Sequence, residues 1–144
     1  MRKKKIAIHP FQLLDISIAD ARIKVLKDQI PEKQPKLGLD VSTTSKLLSE
    51  DTAHIFLNLK VVFTEGDPSF DFKLKLKGII KAINPCSKKD LQQFIDNQVV
   101  PLLWPFAREL VYTLTNRMGF PPLMLPTINV YQTIDKNLKK GSSE

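Results

Sequence analysis

Three side chains in this 144-residue chain carry an imidazole or a thiol: His9, His54 and Cys86. The two imidazoles lie far apart, and neither shares a ligand spacing with a carboxylate. A single cysteine forms neither an internal disulfide nor a cysteine-based zinc site. Cys86 stands between Pro85 and Ser87 at an expected helix start, where a thiol pKa can fall; it reads as a structural or incidental cysteine. His9 reads as a surface residue and His54 as a strand-start residue. No Gly-rich phosphate loop, nucleophile elbow or His-carboxylate cluster is present. The expectation is a protein that is not an enzyme and uses no metal and no cofactor.

Two other patterns carry the chemistry of binding. FPPLMLP, residues 120–126, places Phe120, Leu123, Met124 and Leu125 around adjacent prolines, which hold a backbone near polyproline II with its side chains projecting outward. Burying four such side chains is worth roughly 1.5–3 kcal/mol each, so leaving them on a surface loop calls for a reason. Lys73, Lys75 and Lys77 alternate with apolar residues and define one basic face of a strand.

The elements that position these residues change character near Pro85: before it apolar residues recur at every second position, after it at helical spacing. Phe70, Phe72, Leu74 and Leu76 give a strand from Phe70 to Ile80, and Ile55, Leu57, Leu59, Val61 and Phe63 give another. Gly66, Asp67 and Pro68 supply the turn of an antiparallel hairpin. Leu14, Ile16 and Ile18 mark an earlier strand that extends toward Ile23 and Val25, and Leu37, Leu39 and Val41 mark one more. DQIPEKQP, residues 28–35, reads as a loop crossing over the sheet edge, because its prolines cannot sit in a central strand. Ser87 is an N-cap with Asp90 in the capping-box position. Leu91, Phe94 and Ile95 form the first apolar helix face, and Pro101 and Pro105 are expected to break or restart the helix. Leu103, Phe106, Ala107, Leu110, Val111, Leu114 and Met118 follow at spacings of three or four, with the Phe106, Leu110 and Leu114 stripe expected in the core. Gly119 terminates the run, and a short final helix is expected from Gln132 to Lys140. The fold class is α+β: a four-stranded antiparallel sheet followed by two or three C-terminal helices.

Hydrophobic residues make up 42% and charged residues 26%, which predicts one globular domain over residues 1–144, with 1–5 and 141–144 flexible. The basic start MRKKK is followed by a stretch interrupted by His9, Pro10, Gln12 and Asp15, and no secretory cleavage pattern follows. No apolar run reaches the 18 or so residues of a membrane span. The expected location is cytoplasmic.

LLWPFARELVYTLTNRMGFPPLMLPTINV, residues 102–130, resembles the signature of the SecB-like chaperone family. The residues that carry it are Trp104, Pro105, Phe106, Ala107, Arg108 and Glu109, then Arg117, Phe120, Pro121, Leu123, Leu125 and Asn129. DIS at 15–17 and LGLDVSTTSKLL at 37–48 resemble the family's first strands. The resemblance implies an ATP-independent holding chaperone, a homotetramer built as a dimer of dimers, that binds unfolded polypeptides in long apolar grooves. The clients are preproteins passed to the SecA motor or, in a second branch, an aggregation-prone antitoxin of a toxin–antitoxin pair. On that reading Phe120, Leu123, Met124 and Leu125 form a pre-ordered apolar wall, or else cap the core or a subunit interface. Leu26, Ile30 and Leu37 form the opposite wall, and Trp104 serves interface or groove.

In the export branch the outer sheet face is acidic and receives a basic tail of the motor. Here Asp15 keeps a carboxylate, Ala19 stands where an acid is expected, and Lys73 replaces another, flanked by Lys75 and Lys77. This predicts weak or no SecA docking. The net charge of +7 favours a solvated surface. The alternative is non-specific nucleic-acid binding through the lysine row; single-strand binders add aromatic platforms, and the reading places Phe70 and Phe72 on the buried side with no aromatic among the lysines.

Overall fold

In the computed structural model, which describes residues 5–28 and 36–128, four strands precede one helix: β1 Phe11–Val25, β2 Leu37–Leu47, β3 Thr52–Phe63, β4 Phe70–Ala82 and α1 Lys88–Arg117. The sheet is antiparallel with spatial order β1-β4-β3-β2, so the β3–β4 hairpin is its centre. The hairpin turn contains Gly66 at φ 73°, a left-handed conformation that glycine adopts without strain. The chain passes from β1 at one edge to β2 at the other. Of the expected crossover loop, 28–35, all but Asp28 lies outside the described residues. So does the expected final helix.

Alternation makes the two faces. Cross-strand pairs Leu57–Leu76, Leu59–Leu74 and Val61–Phe72 stack buried side chains on one side of the central strands. Each such side chain contributes roughly 1.5–3 kcal/mol on leaving water. The same register puts Lys60, Lys73, Lys75 and Lys77 on the other side. Gly78 lets this layer close: a Cβ there would stand 2.9 Å from Ile55 Cγ1 and 3.0 Å from Leu13 Cδ1.

β1 corrects the expected pattern. Register shifts between Leu13 and Asp15 and between Ile18 and Asp20 each insert one residue, and an inserted residue reverses the parity of a strand. Leu13 pairs with Ile80 and Ile16 with Gly78 on the apolar face, while Leu14 falls in the first bulge and is 60% exposed. Ile18, Ile23 and Val25 also point to the apolar face yet remain partly exposed, because α1 does not cover that edge fully.

The helix is the second correction. It runs unbroken for 30 residues through Pro101 and Pro105, so the described residues contain one helix, not two or three. Two prolines four apart lie on one side of a helix. Pro101 is half-buried and Pro105 exposed, so the carbonyls that lose their N–H donors, those of Asn97 and Pro101, fall on the solvent side. The opposite side buries Leu91, Ile95, Val99, Leu103, Ala107 and Val111 at steps of four, and this packing outweighs the lost hydrogen bonds. Phe106 therefore faces outward, 41% exposed, against its expected place in the core; Leu110 and Leu114 are half-buried and pack on the core's margin. Ser87 Oγ accepts from Asp90 N at 3.1 Å, the expected cap. At about 1.5 Å per residue α1 spans roughly 45 Å, matching β4. Its start sits where Phe94 stacks on Phe11 at 4.8 Å, and its end where Phe120 meets Phe70 at 5.1 Å.

Candidate functional site

After α1 the chain reverses at Gly119, φ 88°, and returns along the helix. Three helix side chains hold this return segment, residues 119–128. Thr115 Oγ1 accepts from Leu123 N at 2.8 Å and donates to Val111 O at 2.7 Å. Arg108 Nε donates to Leu125 O at 3.1 Å and Trp104 Nε1 donates to Pro126 O at 3.0 Å. Positions 104, 108 and 115 lie four and seven apart, hence on one face. A segment whose prolines forbid helix and sheet pairing thus has its polar backbone groups satisfied by side chains.

The grip sorts the expected site residues by depth. Trp104, Phe120 and Leu125 are buried, Leu125 almost wholly. Leu123 is half-buried against the core, and Met124 is 61% exposed, its sulfur 3.7 Å from an Arg108 terminal nitrogen. At the same end of the sheet Leu37 pairs with Phe63, Phe63 meets Phe70 edge-on at 5.0 Å, and Phe70 meets Phe120. Leu26, 42% exposed, follows β1 there, its N–H bound to Ser69 O at 2.9 Å. One end of the sheet therefore collects Leu26, Leu37 and Phe120, with Ile23 and Val25 continuing the apolar surface along β1. Ile30 lies outside the described residues.

The outer face has its own order. One cross-strand row reads Arg22, Lys73, Lys60, Asp40 and the next Asp20, Lys75, Asn58, Ser42. Between them lies an open depression of about 270 Å³. Asp15 pairs with Ile79, further along the same face than Lys77, which pairs with Ser17. Phe56 also faces outward, and the Lys75 ammonium sits 4.8 Å from its ring centroid, which corrects the expectation of no aromatic among the lysines. Nearby, partial burial and then the charges of Lys77 and Lys46 hold the His54 imidazole below its usual pKa. Hydrogen bonds from Ser49 and Thr52 lower the carboxyl pKa of Asp51.

Arg108, Thr115 and Phe56 are the residues missing from the sequence reading as determinants. Thr115 continues the buried stripe of Leu103, Ala107 and Val111, and a hydroxyl in a core register demands a partner. Phe56 is assigned outward by the alternation of Ile55 and Leu57.

The likeness to solved structures gives the fold first. A Mycobacterium tuberculosis SecB-like chaperone, in complex with a ChAD peptide from the HigA1 antitoxin, matches with a TM-score of 0.73 at 16% identity over 83% of this chain and 91% of that one. The two chains share the SecB-like fold. The family model described as preprotein translocase subunit SecB matches residues 2–140. The protein-export protein SecB of Actinobacillus succinogenes is 36% identical over 116 residues, 78% of this chain and 69% of its own. That of Rhodopseudomonas palustris is 28% identical over 114 residues, 78% of this chain and 70% of its own. The chain belongs to the SecB family. No helix among the described residues is long and apolar enough to cross a membrane.

Proposed function

We propose that this chain is an ATP-independent holding chaperone that binds unfolded or aggregation-prone polypeptides on apolar surface at the end of its sheet. The supporting observation is the return segment: it is fixed by the chain's own Thr115, Arg108 and Trp104, yet leaves Met124 exposed. A wall ordered in advance loses little entropy when an extended peptide docks. Met124 supplies an adaptable contact, Leu123 a half-buried one, and Leu26 with Leu37 the facing side; Trp104, Phe120 and Leu125 support the wall from behind.

The apolar row of Ile18, Ile23 and Val25 extends this surface, and part of it is available for subunit pairing in a homotetramer, a dimer of dimers. The clients are preproteins or an antitoxin; the peptide-bound M. tuberculosis relative supports the second. The place of action is the cytoplasm. Docking to SecA through Asp15, Lys73, Lys75 and Lys77 is weak, because the face is basic. Nucleic-acid binding is the poorer alternative, since Lys75 already occupies Phe56.

The test is binding of a permanently unfolded, uncharged polypeptide from low to high salt. Apolar binding survives high salt, and Met124→Ser and Leu123→Ser weaken it. Binding absent at all salt concentrations, or unchanged by both substitutions, refutes the reading.

A further inference from the structure

Arg22, Lys73 and Lys60 stand side by side on three neighbouring strands, Arg22 paired with Lys73 and Lys73 with Lys60. Like charges directly opposite on antiparallel strands destabilise a sheet. A carboxylate in place of Lys73 would relieve both contacts at once, and the chain carries a third cation instead. Among the described residues, the ion pairs leave Lys60, Lys73 and Lys75 without a carboxylate partner; Arg22 alone of the row is paired, with Asp20 at 3.3 Å. The row borders the open depression described above, which is lined by Lys60, Lys73 and Lys75, by Asn58 and Ser42, and by the carboxylates of Asp20 and Asp40. Three lysines against two carboxylates, one of which Arg22 already holds, leave the recess cationic, and a cationic recess with hydrogen-bonding groups has the chemistry of an anion site.

We infer that the outer sheet face docks an acidic segment of a partner protein, with clustered carboxylates seated on Lys60, Lys73 and Lys75. Its flanking carboxylates select a peptide over a nucleic acid. Across the strands Asp40 closes the row at one end and Asp20 stands beside Arg22 at the other, so only the column Lys73, Lys75 and Lys77 along β4 continues, and the carboxylates flanking it would repel a phosphate backbone laid across the sheet. The aromatic ring on this face lies under Lys75 and offers no stacking platform. This site is on the sheet face opposite the proposed client surface, and the two are separable.

The experiment measures fluorescence anisotropy of a labelled, soluble peptide of alternating Glu and Ser on the full chain, at about 50 mM and about 500 mM salt. A Lys-Ser peptide and a single-stranded oligonucleotide of equal charge run alongside. The acidic peptide binds at low salt and is released at high salt, because exposed charges are screened within about 10 Å at 0.1 M. Lys73→Glu lowers its affinity about tenfold or more and raises the thermal midpoint, since the new carboxylate would separate two cations. Binding of the unfolded, uncharged polypeptide stays unchanged, which separates this site from the client surface. Lys60→Glu gives the same loss of acidic peptide. Three results overturn the inference: no binding of the acidic peptide, binding indifferent to both substitutions, or tighter binding of the oligonucleotide with the same sensitivity to Lys73→Glu.

Discussion

Replacing Thr115 by valine removes one oxygen from a fully buried position and keeps the shape of the side chain. The hydroxyl accepts from Leu123 N at 2.8 Å and donates to Val111 O at 2.7 Å. The Val111 carbonyl retains the main-chain N–H one turn on, so the loss falls on the Leu123 N–H. A buried donor without a partner costs about 1–3 kcal/mol. Leu123 is half-buried and water reaches it in part, which places the expected loss at about 1–2 kcal/mol, or roughly 3–6 °C in Tm for a chain of this size. Trp104, the sole tryptophan, is bonded to Pro126 O in the same segment and is only 5% exposed. Its emission therefore reports on the segment directly. Thr115→Val shifts that emission to the red, before the main transition if the segment opens as a local unit, and Thr115→Ser, which keeps the oxygen, leaves it in place. Unshifted emission with an unchanged Tm in Thr115→Val, or an equal effect from Thr115→Ser, refutes the assignment of Thr115 as the anchor.

Gly78→Ala overpacks the sheet against Ile55 and Leu13, with expected destabilisation of about 1–3 kcal/mol by denaturant titration. His54 has a folded pKa below its unfolded value near 6.5, so below that value the unfolded chain binds more protons and stability falls as pH is lowered. Asp51, also lowered, adds to the same slope at more acid pH. Thermal midpoints between about pH 7.5 and 5.5, which bracket the imidazole titration, should flatten in His54→Asn. A basic peptide with the charge of a SecA tail binds weakly to the wild-type chain at low salt and about tenfold or more tightly to Lys73→Glu; micromolar binding to the wild type contradicts this.

The central hairpin is legible in the sequence because its two faces meet different solvents: Leu74 and Lys75 cannot exchange places without burying a charge. The caps at Ser87 and Gly119 are legible because each is a local hydrogen-bonding or φ requirement. The β1 parity is not, since its bulges depend on what β4 presents and Leu14 carries no mark of being the inserted residue. The continuous helix is not, because Pro101 and Pro105 break helices by intrinsic preference and only the packed side decides otherwise. At the candidate site, the apolar residues are visible as an anomaly in a loop. Which of them are buried follows from three hydrogen bonds made by Trp104, Arg108 and Thr115, and these appear only once the chain has turned back.

The strand order also governs how the chain itself comes to be folded. β1 and β2 occupy the two edges, and the hairpin that must lie between them is made last: Val25 pairs with Phe70, and Phe11 with Ala82, 71 positions later. During synthesis the first 47 residues, including β1 with its apolar Ile16, Ile18 and Ile23, wait without sheet partners until β3 and β4 emerge. Such long-range pairing slows folding and exposes sticky intermediates. A protein proposed to shelter unfinished chains therefore begins life as one, with the same class of surface that it later covers in others.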